Sequence, residues 1–312
     1  MTSIGNTPET ARLPLTAEIA GRLLDLPVVR DKKSLRSFIT AAWLGWQIES
    51  NWADPFLFAI YSIARPIASV LILVVMYSVI TNGATDQPIF AYIYTGNALY
   101  ILVGMVITGV SWAVIDDREH YRTSAQLHTA PISHFSYLYG RGVARLVVGS
   151  VSVLITLVFG VIVFDLPIQL STIDWPLLGL STGLGVLSLA GMGLMMGSLT
   201  MMMARHFWSL GEAVAGSLYL FSGAIFPLET LPSAVRWIGF ALPATYWLEA
   251  ARRALLGPDA AGFQTLAHLT NGQLNTILAV FTVVLLASSL YVYRWSLARA
   301  KEKGLIDMET TY

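Results

Sequence analysis

The stretch Leu220-Phe-Ser-Gly-Ala-Ile-Phe-Pro-Leu-Glu-Thr-Leu-Pro-Ser-Ala-Val-Arg-Trp-Ile-Gly-Phe-Ala-Leu-Pro-Ala-Thr-Tyr246 decides how the rest of the chain is read. It closes a hydrophobic segment, turns through Pro227, Pro232 and Pro243, and returns to apolar sequence with no polar domain between. Proline has no N–H for the helical ladder, so no single helix runs through it. Irregular backbone at membrane depth survives only where protein or a water-filled cavity shields it. The block therefore reads as a re-entrant element that builds a gate or vestibule.

Composition agrees. The chain has 312 residues, of which 55% are hydrophobic and 12% charged, and its mean hydropathy is +0.63. Soluble domains carry about 25% charged residues, so this is a membrane composition. The zero net charge offers no electrostatic footprint for nucleic acid. The absence of cysteine excludes disulfides, thiolate chemistry and cysteine-ligated metals. The segment before Ser34 is polar, and no cleavable signal peptide is expected there.

A spanning helix needs about 20 largely apolar residues. Six segments meet or approach this: Phe56–Ile80, Phe90–Val114, Leu146–Phe164, Leu177–Met203, Ala213–Phe226 and Ile277–Tyr293. The fifth is short unless Phe207–Leu210 or the proline-rich block extends it. Orientation follows the basic residues. Arg12, Arg22, Arg30, Lys32, Lys33, Arg36, Arg118, Arg122, Arg141, Arg145, Arg205, Arg294, Arg299, Lys301 and Lys303 fall on one side, which is 15 of the 19. Arg236, Arg252 and Arg253 fall on the other, and both termini are expected in the cytoplasm.

Ahead of the first span, Leu35, Phe38, Ile39, Ala42, Trp43 and Trp46 recur at helical spacing opposite Arg36, Ser37, Thr40 and Gln47. That pattern predicts a helix lying in the cytoplasmic interface, or one packed on a soluble partner. The predicted organisation is a cytoplasmic segment 1–33 with one short helix around Thr16–Leu26, an interfacial helix 34–53, a membrane domain 54–298 and a tail 299–312.

The chain lacks the means to energise transport by itself. A phosphate-binding loop needs Gly-Lys before Ser or Thr, and none of the four lysines follows a glycine. Proton-coupled carriers place Asp, Glu or His within their spans, and here Glu212 sits just outside the fifth. His120, His128, His134, His206 and His268 are expected in loops, at no metal-ligand spacing; metal ligands: none. A sodium-coupled carrier using backbone and hydroxyl oxygens stays open. Arg65 is the one charge inside a span, at a cost of roughly 2.5–3.5 kcal/mol at the bilayer centre. Either it snorkels to the cytoplasmic surface, or it lines a pore and meets an anionic headgroup. Asn97, within the tyrosine-rich run Tyr92–Tyr100, either lines an outer path or belongs to an aromatic belt. The Gly-x-x-x-Gly pairs Gly179/Gly183 and Gly193/Gly197 suit close helix packing within one subunit.

Several motifs carry a resemblance. The gate block resembles the "SG-x-x-FP-x-x-x-LP … P-x-TY" signature of ABC-2 type transporter permeases. Asp54-Pro55 with Pro66 is similar to the family's approach to its first span. Asp116-Asp-Arg-Glu-His-Tyr-Arg-Thr-Ser-Ala-Gln-Leu-His-Thr-Ala-Pro-Ile-Ser133, followed by Tyr139-Gly140-Arg141, resembles its cytoplasmic "E-x-GTLE-x-L" loop. Ala204–Glu212 matches a short charged turn, and Glu249 with Arg252 resembles "EA-x-R". Two departures stand out: Arg122-Thr123-Ser124-Ala125 replaces Gly-Thr-Leu-Glu, and Leu242 replaces an asparagine.

The resemblance implies an all-α integral membrane fold with six transmembrane helices, an N-terminal cytoplasmic interfacial helix, and an extracellular re-entrant helical hairpin between spans five and six. It implies a coupling loop, 115–142, that docks on an ATPase through Asp116, Asp117, Arg118, Glu119, Arg122, Gln126, Leu127 and Pro131. It also implies a gate region, 226–257, with Phe226, Pro227, Pro232, Pro243, Tyr246, Glu249 and Arg252. Implied partners are two copies of a separate ATPase subunit that binds the ATP, a second permease copy as a homodimer, and membrane lipids. No cofactor is expected on this chain, and no catalytic residue. The expected function is export of a drug- or lipid-like amphiphile across the cell membrane. A lipid-linked polysaccharide cargo, an ion-coupled carrier and a membrane anchor for a signalling ATPase are the alternatives.

Overall fold

A computed structural model describes residues 15–24, 32–50, 55–82, 88–202, 207–257 and 266–304. Every regular element among them is helical: α1 (Leu15–Leu24), α2 (Lys33–Ser50), α3 (Pro55–Thr81), α4 (Pro88–Glu119), α5 (Ser124–Thr129), α6 (His134–Phe164), α7 (Trp175–Thr200), α8 (Phe207–Phe221), α9 (Ser233–Phe240), α10 (Pro243–Leu256) and α11 (Asn271–Glu302), with a 3-10 turn at Leu228–Thr230. Asp54, Arg205, His206 and the tail from 305 lie outside the described residues.

Five helices among the described residues are long and apolar enough to cross a membrane: α3 from Ile60, α4, α6, α7 and α11. The fifth expected span is instead α8, whose 15 residues reach about 22 Å, short of the roughly 30 Å hydrocarbon core. It stops because Ser222 is followed by Gly223 in left-handed backbone, φ +76, a conformation that costs glycine little. α6 starts twelve residues before the expected Leu146, since Arg141 and Arg145 depress its hydropathy yet are paired inside the protein. The loop expected at 115–142 accordingly divides into the end of α4, α5 and the start of α6. Two histidines expected in loops sit in helices: His128 in α5, and His134 opening α6.

Caps mark the boundaries. Asp174 accepts from the Leu177 amide at 3.0 Å and Pro176 occupies the first turn of α7, an arrangement suited to a helix N-terminus. Thr270 and Gln273 close a reciprocal capping box on α11.

α4 is the central shaft: 67% of its most apolar stretch is buried, against 22–28% for α3, α6 and α11. Its side chains join those of α6, α7 and α10 in one apolar core. At the far end Tyr77, Phe90, Tyr94 and Phe164 form edge-to-face and tilted ring pairs that tie α3, α4 and α6 together. At the basic end Phe135 packs on Tyr293 with ring centroids 4.9 Å apart, which puts the start of α6 beside the end of α11.

α2 is held by its small residues. Ser37, Ala41 and Gly45, four apart, form its buried face, while Leu35, Phe38, Trp43 and Trp46 stay half-buried. The face lies on α6 so closely that a Cβ at Gly140 would sit 2.4 Å from the Phe38 carbonyl, and one at Gly45 2.7 Å from that of Arg141. Within α7, a Cβ at Gly193 would sit 2.6 Å from the Ile107 carbonyl, whereas one at Gly179 or Gly183 would meet nothing within 4 Å. Only the Gly193/Gly197 pair therefore packs within the subunit.

These contacts set opposite signs for two alanine substitutions. Gly140→Ala overpacks the α2–α6 seam and is expected to cost about 1–3 kcal/mol. Gly179→Ala meets open space and is expected to gain up to about 1 kcal/mol of helix propensity. Thermal unfolding of the purified protein checks both, and the pair should move in opposite directions.

Candidate functional site

The basic end of the bundle carries a charge network. The Asp117 carboxylate accepts from Arg141 Nη1 at 3.0 Å and from the Tyr137 hydroxyl at 3.1 Å. Tyr137 and Arg141 are one helical turn apart on α6, so a single face of α6 presents both donors to α4. Asp116 lies 3.7 Å from Arg141 Nη2 and 3.0 Å from His120 Nδ1. The buried Arg118 pairs with Glu119 at 2.8 Å, and its Nη1 donates to the Thr200 carbonyl at 3.0 Å, at the C-terminus of α7. A cation there satisfies carbonyls that have no intrahelical donor. The end of α4 is thus bound to both α6 and α7.

Of the residues expected to contact an ATPase, Asp117, Arg118 and Glu119 are buried and Asp116 is half-buried. Arg122, Gln126 and Pro131 are at the surface, and Leu127 packs against the core. Arg122 takes left-handed backbone, φ 53, where the chain turns from α4 into α5. The reading missed Tyr137, Arg141 and the Glu49–Arg145 pair at 3.3 Å; the four-residue spacing of 137, 141 and 145 was the available signal.

From this network a cavity of about 990 Å³ runs along α4. α2 contributes Glu49, α3 contributes Arg65, Pro66 and Ser69, α6 contributes Arg145 and Ser152, and α8 contributes Ala215 and Tyr219. Both expected lining residues, Arg65 and Asn97, are in its wall. Asn97 marks the deep end, where its Oδ1 accepts from the Tyr219 hydroxyl and the Tyr100 hydroxyl donates to the Ala215 carbonyl. The Tyr100 and Tyr219 rings are 4.6 Å apart. Tyr92 and Tyr94, read as interfacial, are buried; the Tyr94 hydroxyl donates to the Thr156 carbonyl at 2.8 Å.

Beyond Asn97 stands the proline block. Arg252 is 1% exposed. Its Nη2 donates to the Gly223 and Ala224 carbonyls at 2.6 and 3.2 Å, its Nε donates to the Tyr92 carbonyl at 3.2 Å, and its guanidinium carbon lies over the Tyr92 ring, 3.8 Å from the centroid. A Cβ at Gly96 would fall 1.9 Å from Nη2, so the absence of a side chain there admits the guanidinium. Glu249 pairs with Arg253 at 3.0 Å, not with Arg252. Arg253 in turn donates to the Leu266 and Leu269 carbonyls, both at 2.7 Å, before α11. Pro243 begins α10, and the Tyr246 hydroxyl donates to the Phe240 carbonyl at 2.9 Å. Phe226 is half-buried, Pro227 buried and Pro232 exposed. Trp247, fully buried, fits the notch of Gly185, where a Cβ would lie 2.5 Å from its ring.

A family model described as ABC-2 type transporter matches residues 38–256, from within α2 to the end of α10. Comparison with proteins of curated function finds no match.

The clamp has a measurable consequence. Arg252→Ala leaves the Gly223 and Ala224 carbonyls without their buried donor, a loss of about 1–3 kcal/mol for each. Amide hydrogen exchange across 221–232 is expected to accelerate while that of α4 and α7 is kept. Arg252→Lys, which offers a point charge in place of a fork, should restore only part of the protection.

Proposed function

The chain belongs to the ABC-2 type transporter family, and from that premise we propose that it is the membrane subunit of an ATP-driven exporter. Its cargo is a drug- or lipid-like amphiphile leaving the cytoplasm. The observation that carries this reading is the pairing of a surface-exposed segment with buried charge. His120, Tyr121, Arg122 and Gln126 are exposed, and the helix they leave is fixed to α6 and α7 by Asp117 and Arg118. An ATPase subunit docked on this segment would move three long helices together.

In the proposed assembly two ATPase subunits bind the ATP and engage two copies of the chain. The basic end faces the cytoplasm, as does each terminus. The second permease copy covers α3, whose Ile72, Val75, Val79 and Ile80 are exposed, and completes the wall of the cavity. The sixth passage is α8 continued by the re-entrant hairpin α9–α10, and residues 226–257 form the outer gate. The uncharged deep end favours an amphiphile over a long glycan, because few polar groups there are positioned to hold successive sugars.

Purification of the tagged chain from its host membrane tests this. A stoichiometric partner bearing a phosphate-binding loop is expected. The double variant Arg122→Glu/Gln126→Glu changes two exposed side chains, and its size-exclusion elution beside the wild type checks that it folds. Its transport-coupled ATP hydrolysis is expected to fall about tenfold, within the usual range of inter-site coupling. A preparation without ATPase that moves substrate on an ion gradient would sink the proposal.

A further inference from the structure

Among the described residues the charges in the cavity wall are paired with one exception. Glu49 meets Arg145 at 3.3 Å, and Asp116 meets His120 at 3.0 Å and Arg141 at 3.7 Å. Arg65 faces the cavity with the Tyr61 ring 5.8 Å from its guanidinium carbon and no carboxylate partner among the described residues. It lies ten residues into α3, about 15 Å along the helix, where an unpaired charge is costly unless water or a ligand compensates it. Ser62 and Ser69, three residues before and four after it, line the same cavity. One face of α3 therefore presents a guanidinium flanked by two hydroxyls. That set can donate several hydrogen bonds to a tetrahedral or planar oxyanion.

We propose that the cavity takes an anionic amphiphile, and that Arg65 with Ser62 and Ser69 reads its phosphate, sulfate or carboxylate group. Two features fix the sign. Among the described residues no unpaired carboxylate lines the cavity to attract a cation. The wall beside Arg65 is apolar, with Pro66, Ile101, Met105 and Val148, so a hydrocarbon body lies along it while the head is held. Among the described residues the deep end holds no charge that would draw the anion past Arg65. This inference rests on the transport reading and narrows it to a charge class.

The full chain reconstituted in phosphatidylcholine nanodiscs allows a test that needs no ATPase. Dodecyl phosphate, dodecanol and dodecyltrimethylammonium share one tail and differ in charge. Dodecyl phosphate is expected to bind at least about tenfold more tightly than the other two, the factor that about 1.4 kcal/mol supplies. Arg65→Gln should abolish that preference, and Arg65→Lys should keep most of it. Ser62→Ala/Ser69→Ala, which leaves the charge in place, should reduce it about threefold or about 0.7 kcal/mol and serves if Arg65→Gln does not elute as a folded protein. Equal binding of the three probes, or a preference for dodecyl phosphate that survives in Arg65→Gln or is unmoved in the serine variant, overturns the assignment.

Lipid analysis of protein extracted from the host membrane identifies the source of the anion. Enrichment of phosphatidylglycerol with the wild type over Arg65→Gln assigns a lipid headgroup. Dodecyl phosphate preference without such enrichment assigns a soluble amphiphile. Loss of Arg65 dependence with the ATPase still co-purifying removes this inference alone. A missing ATPase removes the exporter reading alone.

Discussion

Carbonyls left buried where a helix stops inside the protein cannot turn to water, and must find donors among neighbouring side chains. Here that demand converges on Arg252. One guanidinium serves two carbonyls beyond the end of α8 and a third on α4, with its central carbon 3.8 Å from the Tyr92 ring centroid. The planar fork allows this; an ammonium on a flexible stem would not reach three oxygens at fixed angles. The arrangement makes further demands on the sequence. Gly96 must lack a side chain, Gly223 must accept positive φ, and α10 must be anchored firmly enough to aim the arginine. Trp247 in the Gly185 notch provides that anchor.

The opposite end of α4 answers the same constraint with charges of both signs. A buried carboxylate or guanidinium alone would be severely destabilising, whereas a network that satisfies each lone pair is tolerated. Asp117 has two donors in Tyr137 and Arg141, and Arg118 closes on Glu119 and the C-terminus of α7. Both networks grip the same helix. Between Tyr92 and Arg118 there is no proline and the ladder is continuous, so α4 links the two ends as one body.

Much of this was legible in the sequence because it depends on local pattern. The apolar lengths of α3, α4, α7 and α11 identified them as spans, and Pro227, Pro232 and Pro243 marked where a helix could not continue. Three features were not legible, each for a physical reason. Arg141 and Arg145 read as loop charges, since hydropathy averages a residue without knowing whether a partner neutralises it; their carboxylates lie 24 and 96 positions away in the chain. Arg252 read as a gate residue on the outer side with no partner assigned, because a buried arginine is marked by the carbonyls around it and not by its own neighbours. The small face of α2 was masked by its tryptophans, which advertise an interface more loudly than Ser37, Ala41 and Gly45 advertise a close contact.

Where the subunit yields follows from how each helix is held. α4, α6 and α7 interlock through glycines where an added Cβ would lie under 3.0 Å from a neighbour, Gly193 on Ile107 and Gly149 on Met105, and α7 meets α11 tightly at Gly191, where a Cβ would lie 3.3 Å from Leu285. Such seams separate only by losing dense dispersion contact along the pair. α8 is held differently. Of its described side chains only Leu218 is buried, and its polar ties to α4 are the hydroxyls of Tyr219 and Tyr100. Each such bond contributes about 1 kcal/mol net, a small barrier beside an overpacked glycine seam. Among the described residues the α4–α8 contact is therefore held less tightly than the glycine seams. It stands between the pocket that Arg65 faces and the carbonyls that Arg252 secures. A path that opened there would separate two tyrosines from their acceptors while leaving both charge networks and the interlocked core in place.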